Sequence, residues 1–199
     1  MLENLGYNVK SLATGLGIGG IAVALAMQNV LSDIFASFSI YFDQPFRVGD
    51  FIVIGNERGT VKNIGVKSTR LQSLQGEELI ISNKELAQAQ IHNYKKMQRR
   101  RIVFGFGVVY DTPVAKLKKI LDIVKEITES IDIVDLDRVH FTKFGDYSLQ
   151  FEVVYFLNSN DYTKYMDIQQ EINLKIKEKF EKEKIKMAFP TQTIQVDKV

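Results

Sequence analysis

The chain has 199 residues, a formal net charge of +2 at pH 7 and no cysteine, which excludes disulfides, thiolate metal sites and cysteine nucleophiles. Its two histidines, His92 and His140, lie far apart without metal-ligand spacing, and neither a Gly-x-Ser-x-Gly nor a Walker-type motif occurs. We therefore expect no catalytic residue, no metal site and no cofactor, and we predict that the protein is not an enzyme.

The N-terminal part contains a long uncharged run, because no ionisable residue lies between Lys10 and Asp33. As a helix, these roughly 22 residues would reach about 33 Å, which is enough to cross the core of a bilayer. A secretory signal peptide is the alternative. However, Glu3 precedes Lys10, and the run continues into an aromatic segment without a clear cleavage site. The sequence therefore predicts a transmembrane helix in residues 1–31.

Residues 12–28 separate into four stripes when they are placed on a helix at 100° per residue. Small residues make two opposite faces, which are Ala13, Gly17, Gly20 and Ala24 on one side and Gly15, Gly19, Ala22 and Ala26 on the other. Bulky residues fill the two stripes between them, which are Thr14, Ile18, Ile21 and Leu25, and Leu12, Leu16, Val23 and Met27. A soluble amphipathic helix would have a charged face, and this helix has none.

Two different small-residue faces suit a head-to-tail contact, in which one face of a subunit meets the other face of its neighbour. Such contacts close into a ring, and small residues allow the close approach of helices in lipid. Either bulky stripe could face the ring axis. The stripe of Thr14, Ile18, Ile21 and Leu25 would line a pore with a narrow apolar constriction, which can gate ions by dewetting. The alternative is an ordinary buried helix of a soluble core.

Gly15, Gly17 and Gly20 also fit the Gly-x-Gly-x-x-Gly fingerprint of dinucleotide-binding folds, with Asp43 near the position of the acidic ribose ligand. That fingerprint should follow directly on a buried strand, and residues 8–12 make a poor one. The chain after Asp43 also lacks the strand–helix alternation of a doubly wound sheet. We therefore favour helix packing over a phosphate-binding loop.

Gln28 and Asn29 interrupt the apolar run, so they predict a bend in the helix or the end of its spanning part. Ser32 or Asp33 can cap a second helix in residues 32–45. Its apolar residues fall mostly on one side, and they are Ile34, Phe35, Phe38, Tyr41 and Phe42. This pattern is typical of an amphipathic helix at the membrane surface, or of a core helix of the following domain, and the two roles can coexist.

Residues 46–97 contain short predicted strands at 50–54, 60–64, 68–74 and 78–82, which indicate a small β domain of the Sm or SH3-like kind. Residues 98–189 change pattern, with predicted strands at 101–110, 138–143 and 149–157 and predicted helices at 112–130 and 162–184. This β-α-β-β-α order suggests a ferredoxin-like α+β domain. In residues 190–199, a last strand at 193–196 could pair with other subunits.

Six blocks of the sequence, in order, resemble the pore helix and C-terminal region of the small-conductance mechanosensitive channel (MscS-like) family. The first two blocks together are specific, and they are GIAVALAMQNVLSD (20–33) and PFRVGDFI (45–52). The others support them, and they are GTVKNIGVKSTRL (59–71), GEELIISNKEL (76–86), VVYDT (108–112) and FPTQTIQV (189–196). The resemblance runs from about residue 12 to the C-terminus.

The resemblance implies a homoheptamer in a lipid bilayer, with a glycine- and alanine-packed pore helix and an apolar gate at Ile21 and Leu25. It also implies a β domain, an α/β domain and a seven-stranded C-terminal barrel, which together form a cage. Its function would be a pore that opens under membrane tension and releases ions and small solutes on hypo-osmotic shock. Asn29 departs from the family, which commonly has a glycine at the bend.

The family places further membrane helices before the pore helix, so we expect this chain to be part of a longer, multi-pass protein of a bacterial or archaeal inner membrane. Lys10 is the lone basic residue before the uncharged run. The basic residues after it are more numerous, and they include Arg47, Arg58, Lys62, Lys67, Arg70, Lys95, Lys96 and 99–101. This asymmetry predicts a cytoplasmic C-terminal region.

An RNA-binding module is the competing prediction, because a small β barrel followed by a ferredoxin-like domain is common in such proteins. Residues 95–101 form a basic cluster, and GFGVVY (105–110) partly matches the aromatic strand of an RNA-recognition motif. Val108 stands where that motif has an aromatic residue. The competing prediction also gives the uncharged helix no role, so we expect no nucleic-acid partner.

Overall fold

The computed structural model describes residues 9–192 and Ile194, with side chains from Ala13 onward. It contains two compact units, which divide between Lys95 and Lys96. The predicted strand at 193–196 lies, apart from Ile194, outside the described residues, as do residues 1–8. The transmembrane helix predicted in residues 1–31 is therefore described from Val9.

The first unit begins with one long helix, α1 (Val9–Asp43), where the sequence predicts a first helix and a separate second one. The helix continues through Gln28 and Asn29, and the predicted end of its spanning part at these residues stays a prediction. No glycine or proline lies between Ile21 and Asp43, so nothing in the backbone interrupts the hydrogen bonding of the helix. A bend within this continuous helix stays a prediction.

Ser32 and Asp33 do not cap a new helix, because they lie inside α1. The Ser32 hydroxyl donates to the carbonyl oxygen of Gln28 at 2.8 Å, the back-bonding that serine adopts within a helix. The Asp33 side chain accepts a hydrogen bond from another element of the unit, as described below. The prediction that Ser32 or Asp33 caps a new helix is therefore wrong.

An antiparallel five-stranded sheet follows α1. Its strands are β1 (Phe51–Ile54), β2 (Glu57–Ile64), β3 (Ser68–Gln72), β4 (Glu78–Ser82) and β5 (Ile91–Asn93), in the spatial order β4-β3-β2-β1-β5. A short helix, α2 (Asn83–Gln88), connects β4 to β5. Gly55 and Gly76 have φ values of 57° and 101°, which glycine adopts without strain in the two tight turns of the sheet.

The apolar core of the first unit joins the end of α1 to the sheet. It is formed by Ile40, Phe46, Ile52, Ile54, Val61, Leu71 and Leu86. Ile40 comes from the last turns of α1, and its side chain is 3% exposed. The C-terminal part of α1 therefore folds together with the five-stranded sheet and α2 rather than as an independent segment. We call this folded part of the first unit the β unit.

The second unit has the element order predicted from the sequence. Its elements are β6 (Arg100–Val108), α3 (Val114–Glu129), β7 (Val134–Phe144), β8 (Leu149–Leu157) and α4 (Tyr162–Lys182). The three strands form an antiparallel sheet in the order β6-β8-β7. After α4 the chain returns beside the end of β6, where Val108 and Met187 form an antiparallel bridge.

Both helices of the second unit bury one face against its sheet. On α4 the buried residues recur every four positions, and they are Ile168, Ile172, Ile176 and Phe180. This spacing is the apolar stripe of an amphipathic helix. From the sheet, Tyr155 is fully buried and its hydroxyl donates to Gln169 at 2.9 Å. Burial raises the pKa of Tyr155 well above its usual range, so the phenol stays a neutral donor.

Candidate functional site

The uncharged part of α1 contacts almost nothing in its own chain. Every side chain from Ala13 to Leu31 is exposed. Among the described residues, 13–43 make the one helix that is long and apolar enough to cross a membrane. A core helix of a soluble protein would bury such residues, so the alternative of an ordinary buried helix is not what the structure has.

The four glycines of this helix have no packing partner among the described residues. A Cβ atom built at Gly15, Gly17, Gly19 or Gly20 would meet no heavy atom within 4 Å. Each glycine in a helix interior costs about 1 kcal/mol relative to alanine, and here no contact inside the described chain offsets that cost. The two small-residue faces are therefore open surfaces of the chain, at the positions predicted from the wheel.

The stripe of Thr14, Ile18, Ile21 and Leu25 runs along one continuous helix. Ile18, Ile21 and Leu25 are 66%, 63% and 65% exposed. Since they lie on one unbroken stretch of α1, the wheel that groups them applies directly to the structure. Apart from the hydroxyl of Thr14, the side chains of this stripe carry no hydrogen-bonding group.

At the end of the uncharged run, Lys84, the second residue of α2, donates two hydrogen bonds to side chains of α1. The backbone N–H of Lys84 donates to Asp33 Oδ1 at 3.0 Å, and its ammonium donates to Asn29 Oδ1 at 3.0 Å. Asp33 is 5% exposed. Asn29 and Asp33 are one helical turn apart, so Lys84 contacts two successive turns of one face of α1.

A third turn of the same face contacts the loop between β2 and β3. The Ser37 hydroxyl donates to the carbonyl oxygen of Gly65 at 3.2 Å. That oxygen also accepts from the side chain of Asn83 at 2.7 Å, and Asn83 in turn accepts from the Thr69 hydroxyl at 2.8 Å. Asn83 and Thr69 are fully buried, so this network fixes the start of α2 and the loop against α1.

The opposite face of the same segment is aromatic and exposed. Phe35, Phe38, Tyr41 and Phe42 are 69%, 56%, 71% and 76% exposed. Residues 32–43 thus have one face in the core of the β unit and one free apolar face. The two roles predicted for this segment, core helix and amphipathic surface helix, are both compatible with this arrangement.

Sequence reasoning missed the hydrogen bonds from Lys84 to α1 and the bond between Thr69 and Asn83. Lys84 is 51 residues from Asp33 along the chain, and no local pattern joins positions so far apart. One signal was available: Asp33 is the first ionisable residue after the uncharged run, and a carboxylate at that place needs a partner when it is buried.

Arg99 of the basic cluster and Phe106 of the aromatic strand, which suggested RNA binding, make contacts inside the second unit. Arg99 pairs with Asp135 and lies over the ring of Phe156 at 4.6 Å. Phe106 stacks on Phe151 with a centroid separation of 5.4 Å and packs against the core. An RNA-recognition strand presents its aromatic rings on an open sheet face, so the RNA-binding prediction is not supported.

The part of the chain that the structure describes holds no candidate metal site. No group of three or more His, Asp or Glu residues there could hold a metal ion. His92 in β5 and His140 in β7 are both exposed. The uncharged helix and its contacts with α2 therefore form the candidate functional site.

Family sequence models match the chain in three consecutive segments. Residues 1–28 match the domain described as "Mechanosensitive ion channel, transmembrane helices 2/3". Residues 29–96 match "Mechanosensitive ion channel, beta-domain", and residues 102–187 match "Mechanosensitive ion channel MscS, C-terminal".

Curated relatives match over nearly the whole chain. The chain is 41% identical over 198 residues to the small-conductance mechanosensitive channel MscMJ of Methanocaldococcus jannaschii, covering 99% of this chain and 57% of the relative. It is 31% identical over 202 residues to the low conductance mechanosensitive channel YnaI of Escherichia coli, covering 99% of this chain and 59% of the relative. The chain thus spans somewhat more than half of the length of these proteins.

Solved structures match as well. The crystal structure of Helicobacter pylori MscS in a closed state aligns with a TM-score of 0.81 and 27% sequence identity, covering 100% of this chain and 78% of that chain. The cryo-EM structure of Arabidopsis thaliana MSL1 aligns with a TM-score of 0.83 and 23% identity, covering 94% of this chain and 69% of that chain. The second likeness concerns the fold alone.

Proposed function

Because the chain belongs to the MscS-like family of mechanosensitive channels, we propose that the complete protein is an ion channel opened by membrane tension. It releases ions and small solutes during hypo-osmotic shock, and it is not an enzyme. One observation carries the proposal for this chain: the uncharged helix has two opposed faces of small residues, and a Cβ built at any of its four glycines meets no described atom within 4 Å. Such faces require neighbours of the same kind.

The neighbours are further copies of the chain, arranged as a ring. One face (Ala13, Gly17, Gly20 and Ala24) packs against the opposite face (Gly15, Gly19, Ala22 and Ala26) of the next copy. A contact between two different faces repeats around an axis and closes as a cyclic oligomer. The number seven follows from the family resemblance, and the uncovered glycines support the packing.

The gate of this pore is formed by Ile21 and Leu25, and Thr14 and Ile18 line the same stripe. When several such helices converge, the apolar side chains enclose a narrow passage from which water withdraws, and ions do not cross a dry constriction. Tension widens the ring and lets water in. The exposure of Ile21 and Leu25 in the single chain, 63% and 65%, supports a role at a surface that only assembly covers.

The rest of the chain forms the part of the channel outside the membrane. Residues 32–45 carry the aromatic face along the membrane surface, and residues 46–97 form the β domain. Residues 98–189 form the ferredoxin-like α/β domain, whose sheet order β6-β8-β7 supports that class. Residues 190–199 supply one strand each to a barrel between subunits. Together these regions make a cytoplasmic cage.

The complete protein is a multi-pass protein of a bacterial or archaeal inner membrane, with further membrane helices before α1. The asymmetry of basic residues across the uncharged run supports a cytoplasmic cage. The lipid bilayer is then the partner that delivers the opening force, and neither a nucleic acid nor a cofactor takes part.

A hypo-osmotic shock assay tests this function. Bacterial cells that lack their own mechanosensitive channels would express the complete protein and be diluted rapidly into low-salt medium. We expect the protein to raise survival and to release potassium within the first moments of dilution. Survival and potassium release equal to those of cells carrying an empty vector, at verified expression in the membrane, would contradict the proposal.

A further inference from the structure

The side chain of Lys84 contacts α1 at the place where the sequence interrupts the apolar run. Its Nζ donates to Asn29 Oδ1 at 3.0 Å, while its backbone N–H donates to Asp33 Oδ1 at the same distance. Asn29 lies within the uncharged run, one helical turn before Asp33. The ammonium therefore reaches past the buried attachment and holds the next turn of the helix.

The backbone of Lys84 is itself firmly placed. It lies in the first turn of α2, whose N-cap Ser82 accepts from the backbone N–H of Glu85 at 3.2 Å. The preceding residue, Asn83, is fully buried and bonds to Gly65 and Thr69. The ammonium thus extends from a fixed base, so a movement of α1 at Asn29 away from the β unit would break its bond.

We propose that the hydrogen bond from Lys84 to Asn29 is a positioning contact that keeps α1 continuous past residues 28–29 and fixes the direction in which the uncharged helix leaves the β unit. This inference rests on the proposed function for its consequence in gating, and on the contact alone for its consequence in structure. A hydrogen bond from an ammonium to an amide oxygen is charge-assisted, which makes it stronger than a neutral one.

Asn29 makes the contact possible, because a glycine at this position would offer no side-chain acceptor. A contact through a longer or more flexible side chain at position 29 would not fix the direction of α1. The amide has one carbonyl oxygen, which the ammonium of Lys84 occupies in the structure. Asn29 therefore works here as an acceptor on a continuous helix and not as a point of interruption.

Amide hydrogen exchange of the assembled protein in lipid nanodiscs tests the structural consequence. In Lys84→Met, we expect exchange in peptides covering residues 26–33 to quicken by about three- to tenfold, because one charged hydrogen bond is lost while the backbone bond to Asp33 remains. Lys62→Met is the matched control, since Lys62 is exposed on β2 and pairs with no group among the described residues. Equal exchange in the two variants would overturn the proposal.

Two substitutions of Asn29 keep the test decisive if Lys84→Met disturbs α2. Asn29→Ala removes the acceptor without touching α2, and it should quicken exchange in the same peptides. Asn29→Asp places a carboxylate opposite the ammonium and should slow exchange below that of the unaltered protein. Unchanged exchange in both variants would overturn the proposal even where Lys84→Met is uninformative.

Patch recordings test the consequence for gating through a double-mutant cycle. Lys84→Met should shift the tension at half-maximal opening in the unaltered background and have little effect in the Asn29→Ala background, since the contact is already absent there. Equal shifts in both backgrounds would contradict a role of the contact in gating. If the unaltered protein gives no tension-activated current, the proposed function fails, whereas the exchange experiment still decides whether the contact positions the helix.

Discussion

Asp33 Oδ1 accepts a hydrogen bond from the backbone N–H of Lys84 at 3.0 Å, although 51 residues separate the two along the chain. Asp33 is 5% exposed, so this bond is made inside the first unit and not in solvent. It joins the first ionisable position after the uncharged run to the start of α2. The helix is exposed over residues 13–31, and from Asp33 onward it is bonded to the folded part of the first unit.

Replacing Asp33 should weaken the attachment of α1 to α2. Asp33→Leu leaves the partly buried N–H of Lys84 without its acceptor, which costs about 1 kcal/mol. For a unit of this size, that corresponds to a fall in unfolding temperature of about 4–8 °C per kcal/mol. Asp33→Asn keeps a side-chain oxygen and is the control, for which we expect a smaller fall. The unfolding temperature of each variant is measured by thermal unfolding in detergent. Equal unfolding temperatures for Asp33→Leu and Asp33→Asn would contradict this role of Asp33.

Replacing Leu25 by serine should make the pore easier to wet. Each leucine removed takes away about 1.5–3 kcal/mol of apolar burial from the closed constriction, so Leu25→Ser should open at lower tension or leak ions at rest. Ile21→Ser should act in the same direction. The matched control is Leu16→Ser, because Leu16 is similarly exposed but lies on the other bulky stripe. If Leu25→Ser and Leu16→Ser open at the same tension, the gate is wrongly assigned.

Enlarging Gly20 separates packing between subunits from stability within one subunit. A Cβ at Gly20 meets no described atom within 4 Å, so Gly20→Ala should stabilise the isolated helix by up to about 1 kcal/mol. Gly20→Leu has the same freedom within the chain but would keep neighbouring helices apart. We expect Gly20→Leu to impair the ring or its currents, as judged by native mass spectrometry and patch recording. A normal ring with normal currents would refute the packing.

The region outside the membrane should assemble on its own. The fragment to test is residues 32–199. A shorter fragment that starts at residue 46 would lack Ile40, which belongs to the core of the first unit. Light scattering should give a particle several times the mass of one subunit. A monomer would count against assembly driven by the cage and leave the membrane helices as the source of the ring.

The sequence predicted the strands and helices of the second unit well, for physical reasons. Strand β8 (Leu149–Leu157) and helix α4 (Tyr162–Lys182) carry clear apolar periodicities, and both occur close to their predicted bounds. Helix α2 (Asn83–Gln88) and strand β5 (Ile91–Asn93) were missed, because six and three residues are too few to show a period.

The continuity of α1 was missed for a different reason. Gln28 and Asn29 are polar. A polar pair within an apolar run is a local pattern that predicts a bend in a helix or the end of its spanning part. In the structure Asn29 accepts from Lys84, which lies 55 residues further along the chain. The same holds for Asp33. The partners that make these polar residues compatible with a continuous helix come from α2, an element that the sequence pattern did not reveal.

The most direct measurement is a single-channel recording from liposomes that contain the purified complete protein, with suction applied to the patch. We predict no current at rest and discrete unitary currents that appear at a reproducible membrane tension and close when the tension is released. Patches that contain the protein and stay silent up to the tension at which the bilayer ruptures, or that conduct independently of tension, would contradict the account.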